Sequence, residues 1–498
     1  MPLDALRARL ATVAHLEAAA RVLEWDQETF MPPGAAEARA EQLATLRTLA
    51  HEHFVAEETA RLLADAEPDG PLDEALVQVT RRDLERQVVL PSALVRREAQ
   101  ASARALEAWK GAREADDFGR FAPHLDALLD IQREKADCWG AAPGNRYDPL
   151  LDGYEPGTTG ADVAQVFADL RAALVPLIQA VAERPQVDDA PVRGAFDPDR
   201  QWAFGLAVAE RFGYDLTRGR QDRSAHPFTT AFSPPFDVRI TTRVDPGFFP
   251  TAFYGTLHEA GHALYEQGFD PALAYTPLAD GASLGMHESQ SRLWENQVGR
   301  SRAFWDRHFA EAQASFPEPL AGVSVEAFWK AVNRVEPSLI RVEADELTYH
   351  LHVLLRFELE RAMVEGDLAV ADLPGAWRET MRAYLGVEPE TDADGCLQDI
   401  HWAMGAFGYF PTYTLGTLMS AQLWDALGRD LAEGDAERLV AAGDYGAVLG
   451  WLREKIHRHG RALSAPQLLE AATGSGLDAG PWLAYARAKM EAVYGVSA

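Results

Sequence analysis

The sequence between residues 257 and 264 reads Leu-His-Glu-Ala-Gly-His-Ala-Leu and contains the pattern His-Glu-x-x-His. A proline near its start, a glycine just past its end and no proline between them predict a helix. Positions four apart lie on one face of a helix, so His258 and His262 can present two imidazole nitrogens to one metal ion. Glu259 would lie on the adjoining edge, where it could act as general base on a metal-bound water.

A third ligand is expected from the next helical segment. A catalytic zinc site takes three protein ligands, commonly two histidines and a carboxylate, and keeps one position open. The segment 285–296 offers Glu288, which we favour, with His287 beside it and Glu295 about two turns further along as alternatives. The competing interpretation is a set of ordinary polar residues on a solvated helix. The pattern predicts a zinc hydrolase, with Co²⁺ or Mn²⁺ as substitutes for Zn²⁺.

Composition restricts the partners of the chain. The 498 residues carry a formal net charge of −29, which argues against nucleic acid and anionic membrane surfaces as partners. The N-terminal sequence lacks a secretory apolar core, and no apolar run is long enough to span a bilayer. Only two cysteines occur, and they are far apart. We therefore expect a cytoplasmic protein that binds neither membranes nor nucleic acid.

Apolar residues recur at three- and four-residue spacing over most of the chain, which predicts a mostly α-helical fold. One segment departs from this pattern. Residues 236–244 alternate with period two and are rich in β-branched residues, so they predict a strand that pairs with 228–232 in a hairpin. Helices are expected at 3–24, 35–66, 72–140 with a division at Pro91, 160–184, 198–213, 324–335, 338–365 and 370–386, with several more after Tyr413.

Two later segments carry further candidates. Arg341 stands at the opening of the predicted helix 338–365, where its guanidinium could clamp a substrate carboxylate. A pair with Asp345 at i,i+4 is an equally weighted alternative. The segment 395–413 is dense in glycine and aromatic residues, and neutral donors there could stabilise the oxyanion of a tetrahedral intermediate. Those donors are His401, Tyr409 and Tyr413. The alternative is a buried aromatic turn, which we favour for Trp402 and Phe407.

Six motifs follow one another along the chain. They are His226-Pro227-Phe228, Asp237-x-Arg239-x-Thr241-Thr242, His258-Glu259-x-x-His262, His287-Glu288-Ser289, Ile340-Arg341-x-x-Ala344-Asp345 and Gly395-x-x-Gln398-Asp399-x-His401-Trp402. In this order they resemble the carboxypeptidase Taq family of zinc metallocarboxypeptidases. The resemblance extends over nearly the whole chain, and six ordered motifs are far more specific than His-Glu-x-x-His alone.

The resemblance implies a role for each matching residue. His258, His262 and Glu288 match the metal ligands, and Glu259 matches the general base. Arg341 and Arg239 are candidates for the group that holds the terminal carboxylate of a peptide. The remaining matches would line the cleft, assist the oxyanion or orient substrate: His226, His401, Tyr413 and, less favoured, Tyr409.

The resemblance also implies a large helical peptidase with a deep central groove, similar in architecture to neurolysin and angiotensin-converting enzyme. Residues 1–498 would form one catalytic domain with two helical lobes flanking the groove and a small hairpin or sheet beside the metal. The strand at 237–242 would close one end of the groove and restrict substrate length. The family usually forms a homodimer.

The expected activity is a carboxypeptidase that releases single amino acids from peptides with a free C-terminal carboxylate. One alternative is a zinc oligopeptidase or endopeptidase of the same fold. Another is a helical scaffold with a structural metal site, although such a site has no use for a carboxylate poised at water.

Gly261 is costly in the middle of a helix, so we predict that another element approaches the helix closely there.

Overall fold

The computed structural model describes residues 2–496. The chain is mostly helical, as predicted, and no helix within these residues is both long and apolar enough to cross a membrane. The helices are α1 (Pro2–Thr29), α2 (Ala36–Val55), α3 (Glu57–Ala64), α4 (Pro71–Val88), α5 (Ser92–Ala115), α6 (Phe118–Cys138), α7 (Tyr147–Leu151), α8 (Gly160–Ala182), α9 (Pro198–Phe212), α10 (Phe249–Gln267), α11 (Leu284–Arg292), α12 (Arg302–Ser315), α13 (Val325–Val332), α14 (Tyr349–Glu365), α15 (Leu373–Leu385), α16 (Pro411–Leu431), α17 (Glu437–Ala442), α18 (Tyr445–Lys455), α19 (Ala465–Thr473) and α20 (Gly480–Tyr494).

Two of the predicted long helices are interrupted. The segment 35–66 is divided at Ala56, whose backbone is extended (φ −62°, ψ 149°). The segment 72–140 is divided at Pro91, as expected, and again at Asp116, which ends α5 in the left-handed conformation with φ 51°. Asparagine and aspartate are among the few non-glycine residues that adopt this conformation at modest cost. Apolar periodicity alone does not indicate such breaks.

The prediction of a helix over 338–365 is wrong in its first third. Arg341 lies in a single 3₁₀ turn, Arg341–Glu343, and α14 begins only at Tyr349. The carboxylate of Asp345 accepts hydrogen bonds from the backbone N–H groups of Leu347 and Thr348 and from the Thr348 hydroxyl. Asp345 therefore organises the turn that precedes α14, and this use of its carboxylate competes with continuation of a helix.

A three-stranded sheet contains the predicted hairpin and one additional strand. The strands are β1 (Gln221–Arg223), β2 (Thr229–Ser233) and β3 (Asp237–Thr242), in the order β1-β3-β2. β2 runs antiparallel to β3, with Thr229 opposite Ile240, and β1 runs parallel to β3. Val238 and Ile240 are buried, so the apolar face of β3 lies where the alternation predicts it. The sequence did not indicate β1.

The described chain divides into two compact units. The first comprises the residues up to Gln87, Asp188–Val332 and Met419–Leu477, and it contains the sheet together with α10 and α11. The second comprises Val88–Val187, Asn333–Leu418 and the residues from Asp478 onward, and it contains α14 and the segment 395–413. Each unit has an aromatic core. In the first, Phe249 stacks on Phe253 with ring centroids 5.1 Å apart, and in the second, Phe357 meets Phe167 at 5.2 Å.

Candidate active site

Helices α10 and α11 bring the three predicted metal ligands together in the first unit. The Nε2 atoms of His258 and His262 each lie 3.4 Å from Oε2 of Glu288. Tetrahedral zinc with bonds of about 2.0–2.2 Å requires its ligand atoms to be roughly 3.3–3.6 Å apart, and both of these distances fit such an ion. Among residues 2–496 this is the one group of histidine, cysteine or carboxylate side chains with metal-ligand spacing.

The Nδ1 atoms of both imidazoles have hydrogen-bond partners, and these partners orient each ring so that its Nε2 faces Glu288. Nδ1 of His258 lies 2.9 Å from Oε2 of Glu295, and Nδ1 of His262 lies 2.6 Å from Nδ1 of His287 and 3.1 Å from the backbone oxygen of the same residue. These acceptors assign a proton to each Nδ1 and leave each Nε2 lone pair free for a metal. The two alternatives for the third ligand, Glu295 and His287, thus lie behind the imidazoles rather than beside Glu288.

Arg292 forms hydrogen bonds with both acidic residues of this cluster, Glu288 and Glu295. Its Nε donates to Oε1 of Glu288 at 2.7 Å, and its Nη1 donates to Oε2 of Glu295 at 3.2 Å. Burial by itself raises the pKa of Glu295, but Arg292 and the hydrogen bond from His258 outweigh it and hold the pKa at about 2. Sequence reasoning missed Arg292, although its position four residues after Glu288 places both on one helix face.

The carboxylate of Glu259 is buried and has a hydroxyl as its partner. Burial raises the pKa of this carboxyl above its usual value. Thr229 of β2 donates to Oε2 of Glu259 at 2.7 Å. A general base must hold the proton it removes, and a raised pKa favours this role. Sequence reasoning did not single out Thr229.

Gly261 lies against the backbone of α11, which confirms the predicted close approach. A Cβ atom at Gly261 would lie 2.5 Å from Cα of Ser291 and 2.6 Å from the backbone oxygen of Gln290. Neither atom can move independently of its helix. The absence of a side chain at Gly261 therefore allows α10 and α11 to approach closely enough for Glu288 to reach the two histidines.

Arg341 belongs to a buried charge cluster in the second unit. Its Nε and Nη2 donate to Oδ1 of Asp399 at 3.0 and 2.8 Å, and its Nη1 donates to the Tyr349 hydroxyl at 2.8 Å. The other oxygen of Asp399 accepts from Nε of Arg356 at 2.6 Å. The proposed alternative pair of Arg341 with Asp345 is therefore wrong, because the missing helical turn separates them. Two guanidinium groups share one carboxylate in this cluster.

The aromatic donors of the segment 395–413 lie beside Arg341. Nε2 of His401 is 3.1 Å from the Tyr413 hydroxyl, the Tyr409 ring is 5.2 Å from the His401 ring, and the Arg341 guanidinium is 5.0 Å from the Tyr413 ring centroid. Burial, reinforced by Arg341, lowers the pKa of His401 to about 4, so its imidazole is a neutral group at pH 7. Trp402 and Phe407 are buried packing residues, as predicted.

Arg239 and His226 have different surroundings. Arg239 makes a bidentate pair with Asp237, with both N···O distances 2.9 Å, and its guanidinium lies between the rings of Trp25 and Phe232 at 4.7 and 4.6 Å. His226 is exposed, and its backbone oxygen accepts from the Ser224 hydroxyl. Neither residue hydrogen-bonds to the three candidate ligands.

Comparisons with known proteins agree on one family. The model for the carboxypeptidase Taq (M32) metallopeptidases matches residues 5–490. Thermostable carboxypeptidase 1 from Thermus thermophilus is 43% identical over 97% of both chains, and carboxypeptidase 1 from Bacillus subtilis is 38% identical over 94% of both. The crystal structure of an M32 carboxypeptidase from Deinococcus radiodurans R1 matches with a TM-score of 0.97 at 44% identity, covering 99% of this chain and 100% of that one.

Proposed function

Because the chain belongs to the carboxypeptidase Taq (M32) family, and is therefore a metal-dependent carboxypeptidase, we propose that it uses zinc and Glu259 to release single residues from the C-terminus of peptides. The observation that supports this most strongly is the convergence of His258, His262 and Glu288, with both histidine Nε2 atoms 3.4 Å from Oε2 of Glu288. A buried carboxylate that is not a ligand stands next to His258 in the sequence. A purely structural metal site has no need for such a group.

His258, His262 and Glu288 would hold the ion. When bound, zinc supplies Lewis-acid polarisation of the scissile carbonyl and lowers the pKa of water. Glu259 takes the proton of the attacking water on Oε1, the oxygen that Thr229 leaves free, and delivers it to the departing amine. The raised pKa of Glu259 suits a group that must accept a proton and then return it.

Arg341 is the better candidate for the terminal carboxylate of the substrate. Arg341 and Arg356 share the single carboxylate of Asp399, so this buried cluster carries one positive charge in excess. Arg239 is already neutralised one-to-one by Asp237. A buried excess charge is a strong attraction for an anion. His401 and Tyr413, with Tyr409 as the less favoured alternative, supply neutral donors for the oxyanion.

The test follows the products of one unstructured peptide by mass spectrometry. The protein is supplied with zinc, cobalt or manganese, and the peptide is used free and C-terminally amidated. Stepwise loss of single C-terminal residues, abolished by amidation, is expected. Internal cleavage that ignores amidation would instead indicate an endopeptidase, and no cleavage with any of the metals would favour the scaffold alternative.

A variant separates the general base from the ligands. Glu259→Gln is expected to bind metal as the wild type does and to lose about 10²–10⁴-fold in kcat, the contribution of general-base catalysis. His262→Ala is expected to lose both metal and activity. Metal content is measured by atomic emission after gel filtration. Metal loss in Glu259→Gln would contradict the assignment of Glu259 as a non-ligand.

A further inference from the structure

Thr229 makes two contacts with the same residue. Its hydroxyl oxygen lies 2.7 Å from Oε2 of Glu259 and 2.9 Å from the backbone oxygen of Glu259. Within residues 2–496, no other described side-chain hydrogen bond reaches the Glu259 carboxylate. A hydroxyl has one proton, and it donates to Oε2, the nearer oxygen and the charged acceptor, while remaining close to the backbone oxygen. Through the Thr229 hydroxyl, the carboxylate of Glu259 is therefore held at a fixed place beside the backbone of α10.

The hydroxyl projects from a rigid element. Thr229 opens β2 and pairs with Ile240 of β3. Immediately before it, the N–H of Phe228 donates to Oγ1 of Thr241 at 2.9 Å, and the N–H of Thr241 donates to the backbone oxygen of Phe228 at 2.9 Å. A group carried on a paired strand is held more accurately than a group on a free loop.

We propose that Thr229 is a positioning residue that fixes the orientation of the Glu259 carboxylate for catalysis, an inference that rests on the function proposed above. Glu259 lies beside a ligand cluster, and a carboxylate is itself a competent zinc ligand. A general base must reach the water without itself coordinating the metal. The hydrogen bond from Thr229 holds Oε2 in place and leaves Oε1 available to the water. It thereby limits the Glu259 side chain to one rotamer.

The experiment compares five variants with the wild type. Thr229→Val removes the hydroxyl at nearly constant shape, and Thr229→Ser keeps the hydroxyl. Thr230→Val is the matched control, because successive residues of a strand point to opposite faces. Glu259→Asp shortens the side chain so that its carboxylate no longer reaches Thr229, and Thr229→Val is also made in that background. Each zinc-loaded variant is assayed for kcat and KM on a peptide with a free C-terminus, for metal content and for melting temperature.

A positioning role predicts a specific pattern. Thr229→Val should lower kcat by about 10- to 100-fold, as expected for loss of a hydrogen bond to a charged group, with KM within about threefold and full metal content. Thr229→Ser should restore kcat to within about threefold of the wild type, and Thr230→Val should match the wild type. In the Glu259→Asp background, Thr229→Val should change kcat by less than about twofold, because the contact is already absent.

Three results would overturn the proposal. These are a kcat for Thr229→Val within about twofold of the wild type, a Thr229→Ser variant as slow as Thr229→Val, or an undiminished effect of Thr229→Val in the Glu259→Asp background. The wild type distinguishes this failure from failure of the proposed function. If the wild type releases C-terminal residues while Thr229→Val is unaffected, only the role of Thr229 is lost.

Discussion

Asp399 lies between two guanidinium groups, whereas Glu259 is buried with a hydroxyl as its hydrogen-bond partner, and this difference decides what each carboxylate can do. Arg356 and Arg341 outweigh the effect of burial and hold the pKa of Asp399 far below its usual range. Burial raises the pKa of Glu259. Asp399 therefore remains a fixed negative charge at all working pH values, while Glu259 can exchange a proton.

The Asp399 cluster gives a stability prediction. Asp399→Asn leaves Arg341 and Arg356 as buried neighbouring cations without a counter-charge, and removal of one partner of a buried ion pair costs about 3–5 kcal/mol. Asp237→Asn breaks the more exposed pair with Arg239 and should cost less than about 1 kcal/mol. Urea denaturation measures both free energies of unfolding. Equal losses in the two variants would contradict the buried character of the Asp399 cluster.

At this scale, sequence predicts residues whose relation is local or which complete a known chemical pattern, as Glu288 completes the ligand set of the two histidines. His258 and His262 are one helical turn apart, and the structure brings them together with Glu288, as predicted. Thr229 and Asp399 could not be found in the same way. Thr229 reaches Glu259 across 30 residues, and Asp399 reaches Arg341 across 58. No periodicity connects such positions, so only the folded chain shows the contacts.

At the scale of elements, Gly261 controls the distance between α10 and α11. Gly261→Ala places a methyl group about 2.5 Å from the backbone of α11, so we expect a loss of roughly 1–3 kcal/mol in stability and weaker metal binding. Gly450 in α18 is the control, because nothing lies within 4 Å of its Cβ position. Gly450→Ala should stabilise the protein by about 0.5–1 kcal/mol. Urea denaturation and zinc titration measure these effects. A neutral Gly261→Ala would show that the helices can separate freely.

A buried carboxylate of α14 predicts a pH dependence of stability. Glu360 accepts hydrogen bonds from the Tyr147 hydroxyl, the Trp402 indole and the N–H of Gly408. Burial raises its pKa from 4.5 to about 7, so the folded chain holds this proton more tightly than the unfolded chain does. The resulting stabilisation is complete below pH 4.5 and is lost as the pH rises through 7.

The comparison with Glu360→Gln isolates this contribution, because glutamine does not titrate. The difference in free energy of unfolding, wild type minus variant, should fall by about 3 kcal/mol between pH 4.5 and pH 7.5, at 1.36 kcal/mol per pKa unit. Urea denaturation at a series of pH values measures it. A difference that does not change with pH would contradict the raised pKa.

Among the elements, those with a long amphipathic pattern were predicted and the irregular ones were not. The helical spacing correctly predicts α8 and α9 to within a few residues, and the period-two alternation predicts β3. β1 has three polar residues, Gln221–Arg223, and no apolar alternation. It forms a strand because its backbone pairs in parallel with the backbone of β3. The break before α14 depends on the capping contacts of Asp345, which apolar periodicity does not contain.

At the scale of the whole molecule, the two compact units do not correspond to two consecutive halves of the sequence. Each compact unit consists of three separate segments of the chain. A hydrophobic pattern read along the sequence cannot indicate which distant segments share a core, so the resemblance to a known family was the better guide to the fold. The family itself is confirmed. The homodimer, the cytoplasmic location and the single catalytic domain stay predictions.

Metal binding is expected to contribute to the stability of the folded chain. The three candidate ligands come from α10 and α11, so the unfolded chain cannot present them together. An ion that binds only the folded state stabilises it by RT ln(1 + [M]/Kd), about 4 kcal/mol when free metal is 1,000 times Kd. Treatment of the zinc-loaded protein with a chelator should therefore lower its melting temperature by several degrees, and added zinc should restore it.

Variants show whether the shift arises at these ligands. His262→Ala should melt at the same temperature with and without chelator, because loss of one ligand removes tight binding. His51→Ala removes an exposed histidine of α2 and should retain the full wild-type shift. Differential scanning calorimetry at fixed protein and metal concentrations makes the comparison. A chelator effect in His262→Ala as large as in the wild type would place the stabilising metal elsewhere, and the assignment of His258, His262 and Glu288 would then be wrong.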